Sequence, residues 1–173
     1  VWQAETGTEL FTLTGHDSWV SSVAYSPDGQ RIVTSAGRHR EGTAKVWDAE
    51  TGTELFTLTG HDGNVNSAGY SPNGQRIVTA SWDYTAKVWD AETGSELFTL
   101  KGHDGNVNSA AYSPDGKRIM TASFDGTATV WDAQTGTKLL TLRGHDRRVS
   151  LATYRQDGQR IVTAGRNDKT DKV

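Results

Sequence analysis

The sequence predicts an all-β protein assembled from repeated four-stranded antiparallel blades, and three observations lead there. A unit of 42 to 45 residues recurs along all 173 residues. Each unit carries the same two tight-turn signals at fixed places. The stretches between turns are four to seven residues long, which suits strands and is too short for typical helices.

The repeat is visible in two marks. Val-Trp recurs at Val1-Trp2, Val46-Trp47, Val88-Trp89 and Val130-Trp131, and Gly-His-Asp recurs from Gly15, Gly60, Gly102 and Gly144. Units therefore run 1–45, 46–87, 88–129 and 130–173, and the second and third differ at nine of 42 aligned positions. Pro27-Asp28-Gly29, Pro72-Asn73-Gly74, Pro114-Asp115-Gly116 and Asp157-Gly158 are turn sequences, because glycine reaches the positive φ that tight turns need. A second turn, Glu-Thr-Gly, follows each Val-Trp, with Gln134 replacing the Glu in the last unit. In the second unit the strand candidates are 65–71, 76–80, 85–89 and 96–100. Four short strands in such a unit describe one blade. Ser67, Ala68 and Gly69 mix with Val65 and Tyr70 instead of alternating with them, a pattern expected of a sheet covered on both faces. A helical repeat would need stretches of about ten residues free of glycine and turn dipeptides, and none is present.

Composition sets outer bounds. Nineteen glycines and three prolines fit many tight turns better than a disordered chain, and a net charge of −3 gives no global field to recruit nucleic acid or an anionic membrane. No apolar run approaches the ~18–20 residues of a membrane span, and no signal-peptide pattern opens the chain, so a cytoplasmic location is expected. The absence of cysteine excludes a disulfide framework and cysteine-based metal or redox chemistry. A first residue of Val1 in place of methionine suggests a piece of a longer or processed protein.

His61 precedes Trp89 by 28 positions, His103 precedes Trp131 by 28, and His16 precedes Trp47 by 31. With these paired Gly-His and Trp-Asp marks the whole chain resembles the WD-repeat family of β-propellers, whose blades have this period. The near-identical units resemble those of large bacterial WD-repeat proteins. The resemblance implies a hydrogen-bonded tetrad in each blade: His61, Thr79, Asp83 and Trp89 in one, His103, Thr121, Asp125 and Trp131 in the next. In the first unit it implies His16, Thr34 and Trp47, with Glu41 at the place of Asp83 after a three-residue insertion that lengthens the loop 37–42. In the last it implies His145 and Thr163, with Asn167 or Asp168 replacing the aspartate and the tryptophan, Trp2, at the other end of the chain. A buried indole and imidazole do need partners, which a hydroxyl and a carboxylate supply. On the same basis the chain begins inside a third strand and supplies a fourth over 9–13. Three complete blades follow, and one blade is split between the termini. Three arrangements fit: a segment of a longer array or ring, half of a two-fold ring of eight blades, or a four-blade monomer.

No residue is assigned a catalytic, cofactor-binding or metal-binding role. Histidine, threonine and aspartate recurring together could form a nucleophilic triad, but they come in copies, whereas catalysis needs one distinctive site, and no Gly-x-Ser-x-Gly elbow is present. The tetrad histidines lie in separate units, His39 sits between two arginines, and Asp168 and Asp171 lack a calcium loop of oxygen ligands. Ser123 to Gly126 resembles the Asp-box of glycosidase propellers only in part, since Asp125 and Gly126 are adjacent where that motif separates them by one residue. The units differ most in loops that the family places on its top face. There lie Trp19, Arg38, Arg40, Trp82, Tyr84, Phe124, Arg147, Arg148 and Arg166, and aromatic residues and arginine dominate binding hot spots. The bland reading is that Trp82 and Phe124 cap blade edges. Residues 143–173 carry a net charge of +4, which suits an acidic partner or a solvated face equally. The expected function is a non-enzymatic scaffold or sensor module that binds proteins or peptides through this face. The alternatives are an assembly unit that self-associates to complete a ring and, more distantly, a propeller enzyme acting on glycans.

Overall fold

The computed structural model describes residues 1–38, 41–165 and 171–172, with Arg38, Glu41, Asp171 and Lys172 described through their backbones alone. Among the described residues there are fifteen β-strands and no helix. The first blade is β1 (Val20–Tyr25), β2 (Arg31–Arg38), β3 (Glu41–Asp48) and β4 (Glu54–His61). The second is β5 (Val65–Tyr70), β6 (Arg76–Ser81), β7 (Ala86–Asp90) and β8 (Glu96–Leu100). The third is β9 (Val107–Tyr112), β10 (Arg118–Ser123), β11 (Ala128–Asp132) and β12 (Lys138–Leu142). A last sheet has three strands, β13 (Val149–Tyr154), β14 (Ile161–Gly165) and β15 (Asp171–Lys172).

Strands within a blade run antiparallel in chain order, and the register repeats: Ile32 faces Trp47, Ile77 faces Trp89 and Ile119 faces Trp131. The turn chemistry enforces it. In the second blade Ser71 Oγ donates to Asn73 Oδ1 while accepting from the Arg76 amide, and Gly74 takes φ +73.

The core lies between blades. Val33, Val46 and Leu58 of the first blade pack on Val65, Ile77 and Trp89 of the second. The second offers Val78, Val88 and Leu100 to Val107, Ile119 and Trp131 of the third. The third offers Met120, Ala122 and Ala128 to Val149 and Ala152. Covered faces on both sides explain why the strands do not alternate apolar with polar residues. Each of the first two seams also carries a polar link, with Arg31 donating to the Ala91 carbonyl and Arg76 to that of Ala133. The inner strands follow in the order β1, β5, β9, β13, and Val20, Val23 and Tyr25 stay exposed on the leading face of β1. The arc is open.

Two sequence expectations differ from what is found. The insertion in the first unit does not make a longer loop over 37–42; β2 and β3 each extend to eight residues, pairing Gly37 with Gly42 and Arg38 with Glu41. The glycines serve close approach: a Cβ on Gly42 would lie 2.2 Å from the Gly63 carbonyl oxygen, and one on Gly37 2.6 Å from Asn64 Cα. Residues 9–13, expected as a strand, form among the described residues only the isolated bridge Trp2–Glu9. They still fold as a hairpin. Gly7 N donates to Gln3 O, as Gly52 N donates to Asp48 O. A Cβ on Gly52 would lie 2.6 Å from Phe11, just as one on Gly94 would lie 2.8 Å from Phe56. The N-terminal hairpin therefore lies against the first blade where a preceding blade would place its outer strands.

Candidate protein-interaction face

Each complete blade presents two rims. On one, the Glu-Thr-Gly turn joins the Pro-Asp-Gly type of turn, with Ala49 N donating to Gln30 O, Ala91 N to Gln75 O and Ala133 N to Lys117 O. On the other, the loop after Gly-His-Asp meets the loop between the second and third strands. Trp82 N donates to Asn64 O at 2.9 Å and Phe124 N to Asn106 O at 2.8 Å.

A polar chain beneath fixes this second rim. Trp89 Nε1 donates to Thr79 Oγ1 at 2.9 Å, Thr79 Oγ1 lies 2.7 Å from His61 Nε2, and His61 Nδ1 lies 2.7 Å from Asp83 Oδ2. Every atom is satisfied if the imidazole is neutral: Nδ1–H donates to Asp83 and Nε2 accepts from the threonine hydroxyl. Asp83 also accepts from Asp62 N, Thr85 N and Thr85 Oγ1, so one carboxylate ties both rim loops together. Trp131, Thr121, His103 and Asp125 repeat the geometry at 2.8, 2.7 and 2.7 Å. Burial pushes the Asp83 carboxyl up, but the hydrogen bonds from His61 and Thr85 outweigh it and hold the group well below the usual carboxylate range. Asp125 is lowered likewise, with Thr127 and His103 overcoming its burial. Burial pushes His103 down, against the opposing pull of Asp125.

The first and last blades differ. Trp47 Nε1 donates to Thr34 Oγ1 at 2.8 Å and Thr34 lies 2.7 Å from His16 Nε2. Glu41 now belongs to the lengthened β3, and among the described residues His16 Nδ1 has no hydrogen-bond partner. Burial lowers the His16 pKa, with Lys45 adding to it. In the last sheet His145 Nε2 lies 2.8 Å from Thr163 Oγ1. Asn167 and Asp168 lie outside the described residues, and Trp2 is not brought to this pair: it is 66% exposed in its bridge with Glu9.

The residues expected on the top face occupy this second rim where they are described. Trp19 is exposed, and Trp82 and Tyr84 are 42% and 51% exposed. Phe124 is half-buried under the Arg148 guanidinium of the next sheet, 4.6 Å above its ring centroid, a cation–π contact across a seam. Arg147 is exposed beside it. Arg38 is described only as backbone, and Arg40 and Arg166 lie outside the described residues. Sequence reading missed the backbone of Tyr84. Its φ of +70 makes it the only non-glycine residue with positive φ among the described residues, and the aligned Gly126 has φ +85. That alignment was the available signal. Among the described residues no group of three or more His, Asp or Glu side chains is placed to hold a metal ion.

A profile of the WD40 family, described as WD domain, G-beta repeat, matches residues 7–48, 52–90, 94–132 and 136–173. The chain belongs to the WD-repeat family. A curated relative, Lissencephaly-1 homolog 1 of Paramecium tetraurelia, is 47% identical over 34 residues, which are 20% of this chain and 8% of that protein. The matched segment is thus a small fraction of the relative's length. WD repeats generally mediate protein–protein interactions and are typically non-enzymatic. In this WD-repeat chain the blades are the family's antiparallel four-stranded sheets, and no helix among the described residues is long and apolar enough to cross a membrane.

Proposed function

We propose that this WD-repeat chain is a non-enzymatic module that binds a protein or peptide through the rim carrying Trp19, Trp82, Tyr84, Phe124, Arg147 and Arg148. One observation carries the reading. The second and third units share 33 of 42 positions, yet they differ at Trp82 against Phe124 and at Tyr84 against Gly126, on rim loops with matching backbone hydrogen bonds. Blade packing constrains both units alike, so it does not account for large aromatics at these tips. Relaxed loops drift toward small turn residues, whereas exposed aromatics beside arginines are the residue types of binding hot spots. The opposite rim keeps nearly the same turn residues in every unit.

The test begins with a peptide array probed with the purified chain, followed by calorimetry on the best ligand. Trp82→Ala and Arg148→Ala should each weaken binding by more than about 1 kcal/mol, the level that marks interface residues that matter. Glu50→Ala, on the opposite rim, should leave affinity unchanged. A loss confined to Glu50→Ala would place the site on the wrong rim.

A further inference from the structure

On the rim of the Glu-Thr-Gly turns, each junction between complete blades holds a cavity. The one between the first and second blades is about 550 Å³ and is lined in part by Asp28, Arg31, Tyr70, Asp90 and Glu92. Its counterpart between the second and third is about 510 Å³, with Arg76, Tyr112, Asp115, Lys117, Asp132 and Gln134 among its walls. Both sizes fall in the range of small-ligand sites, roughly 300–1,000 Å³.

One scaffold thus carries two charge patterns. Asn73 stands in the second cavity where Asp28 stands in the first, Lys117 where Gln75 stands, and Gln134 where Glu92 stands. Only the exchange of Asn73 for Asp115 runs the other way. In the first cavity hydrogen bonds from Ser26 and Thr93 hold Asp28 and Asp90 below the usual carboxylate range, and the Arg31 charge adds to this. In the second, Asp115 accepts from Ser113 Oγ and Lys117 N, and Asp132 from Gln134 N and Thr135 N, all within their own turns.

Arg76 is half-buried and lies over the Phe98 ring at 5.9 Å. Among the described residues its guanidinium makes one hydrogen bond, to the Ala133 carbonyl, and no ion pair. A guanidinium has five N–H donors, so most of them remain. The Tyr112 hydroxyl is buried and has no partner among the described residues. Burial pushes its pKa up, against the pull of Arg76, so it stays a donor. A charge and a hydroxyl taken from water without an acceptor are costly, and one carboxylate satisfies both.

We propose that the cavity between the second and third blades binds a carboxylate group, carried by a small dicarboxylic acid or by an acidic side chain of a peptide. Arg76 takes its two oxygens as a bidentate pair, the arrangement that a planar guanidinium favours, and the Tyr112 hydroxyl donates to one of them. Lys117 adds a second positive charge, and Gln134 spares the ligand the repulsion that Glu92 exerts in the first cavity. The site lies on the rim opposite Trp82 and is independent of the binding proposed there.

A nuclear magnetic resonance titration of the isotope-labelled 173-residue chain tests this, with succinate and a capped single-glutamate peptide as the two carriers. The Arg76 Nε–H and the Gln134 side-chain amide should shift saturably with one carrier or both, and the tighter one identifies the carrier. Sodium chloride at matched ionic strength should not reproduce the shift. Lys117→Gln combined with Gln134→Glu installs residues already present in the first cavity, so the fold is kept. It should weaken binding at least about tenfold, the scale of one hydrogen bond to a charged group. Tyr112→Phe should weaken binding several-fold without lowering the urea midpoint, because its hydroxyl has no protein partner to lose. Asp28→Asn combined with Glu92→Gln should make Arg31 respond as well. No saturable shift, or the same shift with chloride, overturns the proposal. So does an affinity unchanged in both the Lys117→Gln/Gln134→Glu and the Tyr112→Phe variants. Inorganic phosphate binding more tightly than either carrier overturns the choice of a carboxylate.

Discussion

Tyr84 holds in the second blade the left-handed backbone position that Gly126 holds in the third, with φ +70 against +85. A side chain there costs about 1–2 kcal/mol, while glycine gives back roughly 0.5–1 kcal/mol through the freedom it loses on folding. Tyr84→Gly should therefore raise stability by up to about 1 kcal/mol, read as a higher urea midpoint. The same change should weaken binding at the rim. A midpoint that falls would mean the ring contributes more by packing than its backbone costs.

Asp83→Ala should destabilise the chain far more than Asn73→Asp. The first removes an acceptor from His61, Asp62 and Thr85 at once, and stranding buried donors costs about 1–3 kcal/mol, more where a charge is involved. The second installs the residue already present at Asp28 and Asp115, which accept the equivalent turn hydrogen bonds. Denaturant midpoints should differ clearly. Coincident midpoints would remove the carboxylate from the stability argument.

Stability should fall in two stages on acidification. His16 and His103 have folded pKa values below their ordinary value, so the unfolded state takes up protons first as pH falls through about 6.5. Stability therefore decreases there and levels off once pH has passed below the folded values. Asp83 and Asp125 are depressed, so their contribution is full above about pH 4 and is lost as pH falls further toward their folded values. Urea midpoints between pH 8 and 3 check this. A profile flat from pH 7.5 to 5 would contradict the histidine part.

Gly42→Ala should cost about 1–3 kcal/mol, the usual range for overpacking, because the new Cβ would meet backbone at Gly63 and Val65. Gly69→Ala is the matched control. Its Cβ would meet nothing within 4 Å and the third unit already has Ala111 there, so a gain of about 0.4–1 kcal/mol is expected. Thermal melts of both variants distinguish close approach from a general cost of replacing glycine.

The second blade was legible almost to the residue, since 65–71, 76–80 and 96–100 became β5, β6 and β8 with shifts of one residue at most. Turn chemistry repeated in every unit supplied the punctuation. The first blade was misread at Gly37 and Gly42, because a glycine that permits backbone contact looks in sequence like one that permits a turn. The hairpin at Trp2 was legible as two strands but not as a bare bridge, since pairing depends on a neighbour that no local pattern encodes. At the rim, residue type pointed to Trp82 and Arg148 but was silent on the stacking of Arg148 over Phe124, a contact across a seam between units.

The arginine links at the seams give the arc a direction. Arg31 reaches forward to Ala91, and Arg76 reaches forward to Ala133, so each bond belongs to a junction and to neither blade alone. Free energy in such an array resides largely in nearest-neighbour terms. Deleting a terminal unit forfeits one junction, whereas deleting an internal unit breaks two and forms one between units that had not met. Because the second and third units present nearly the same surfaces, that new junction would be close to a native one. The array is thereby tolerant of gaining or losing whole units, and a gene encoding it can change length by unequal recombination without passing through an unfolded product.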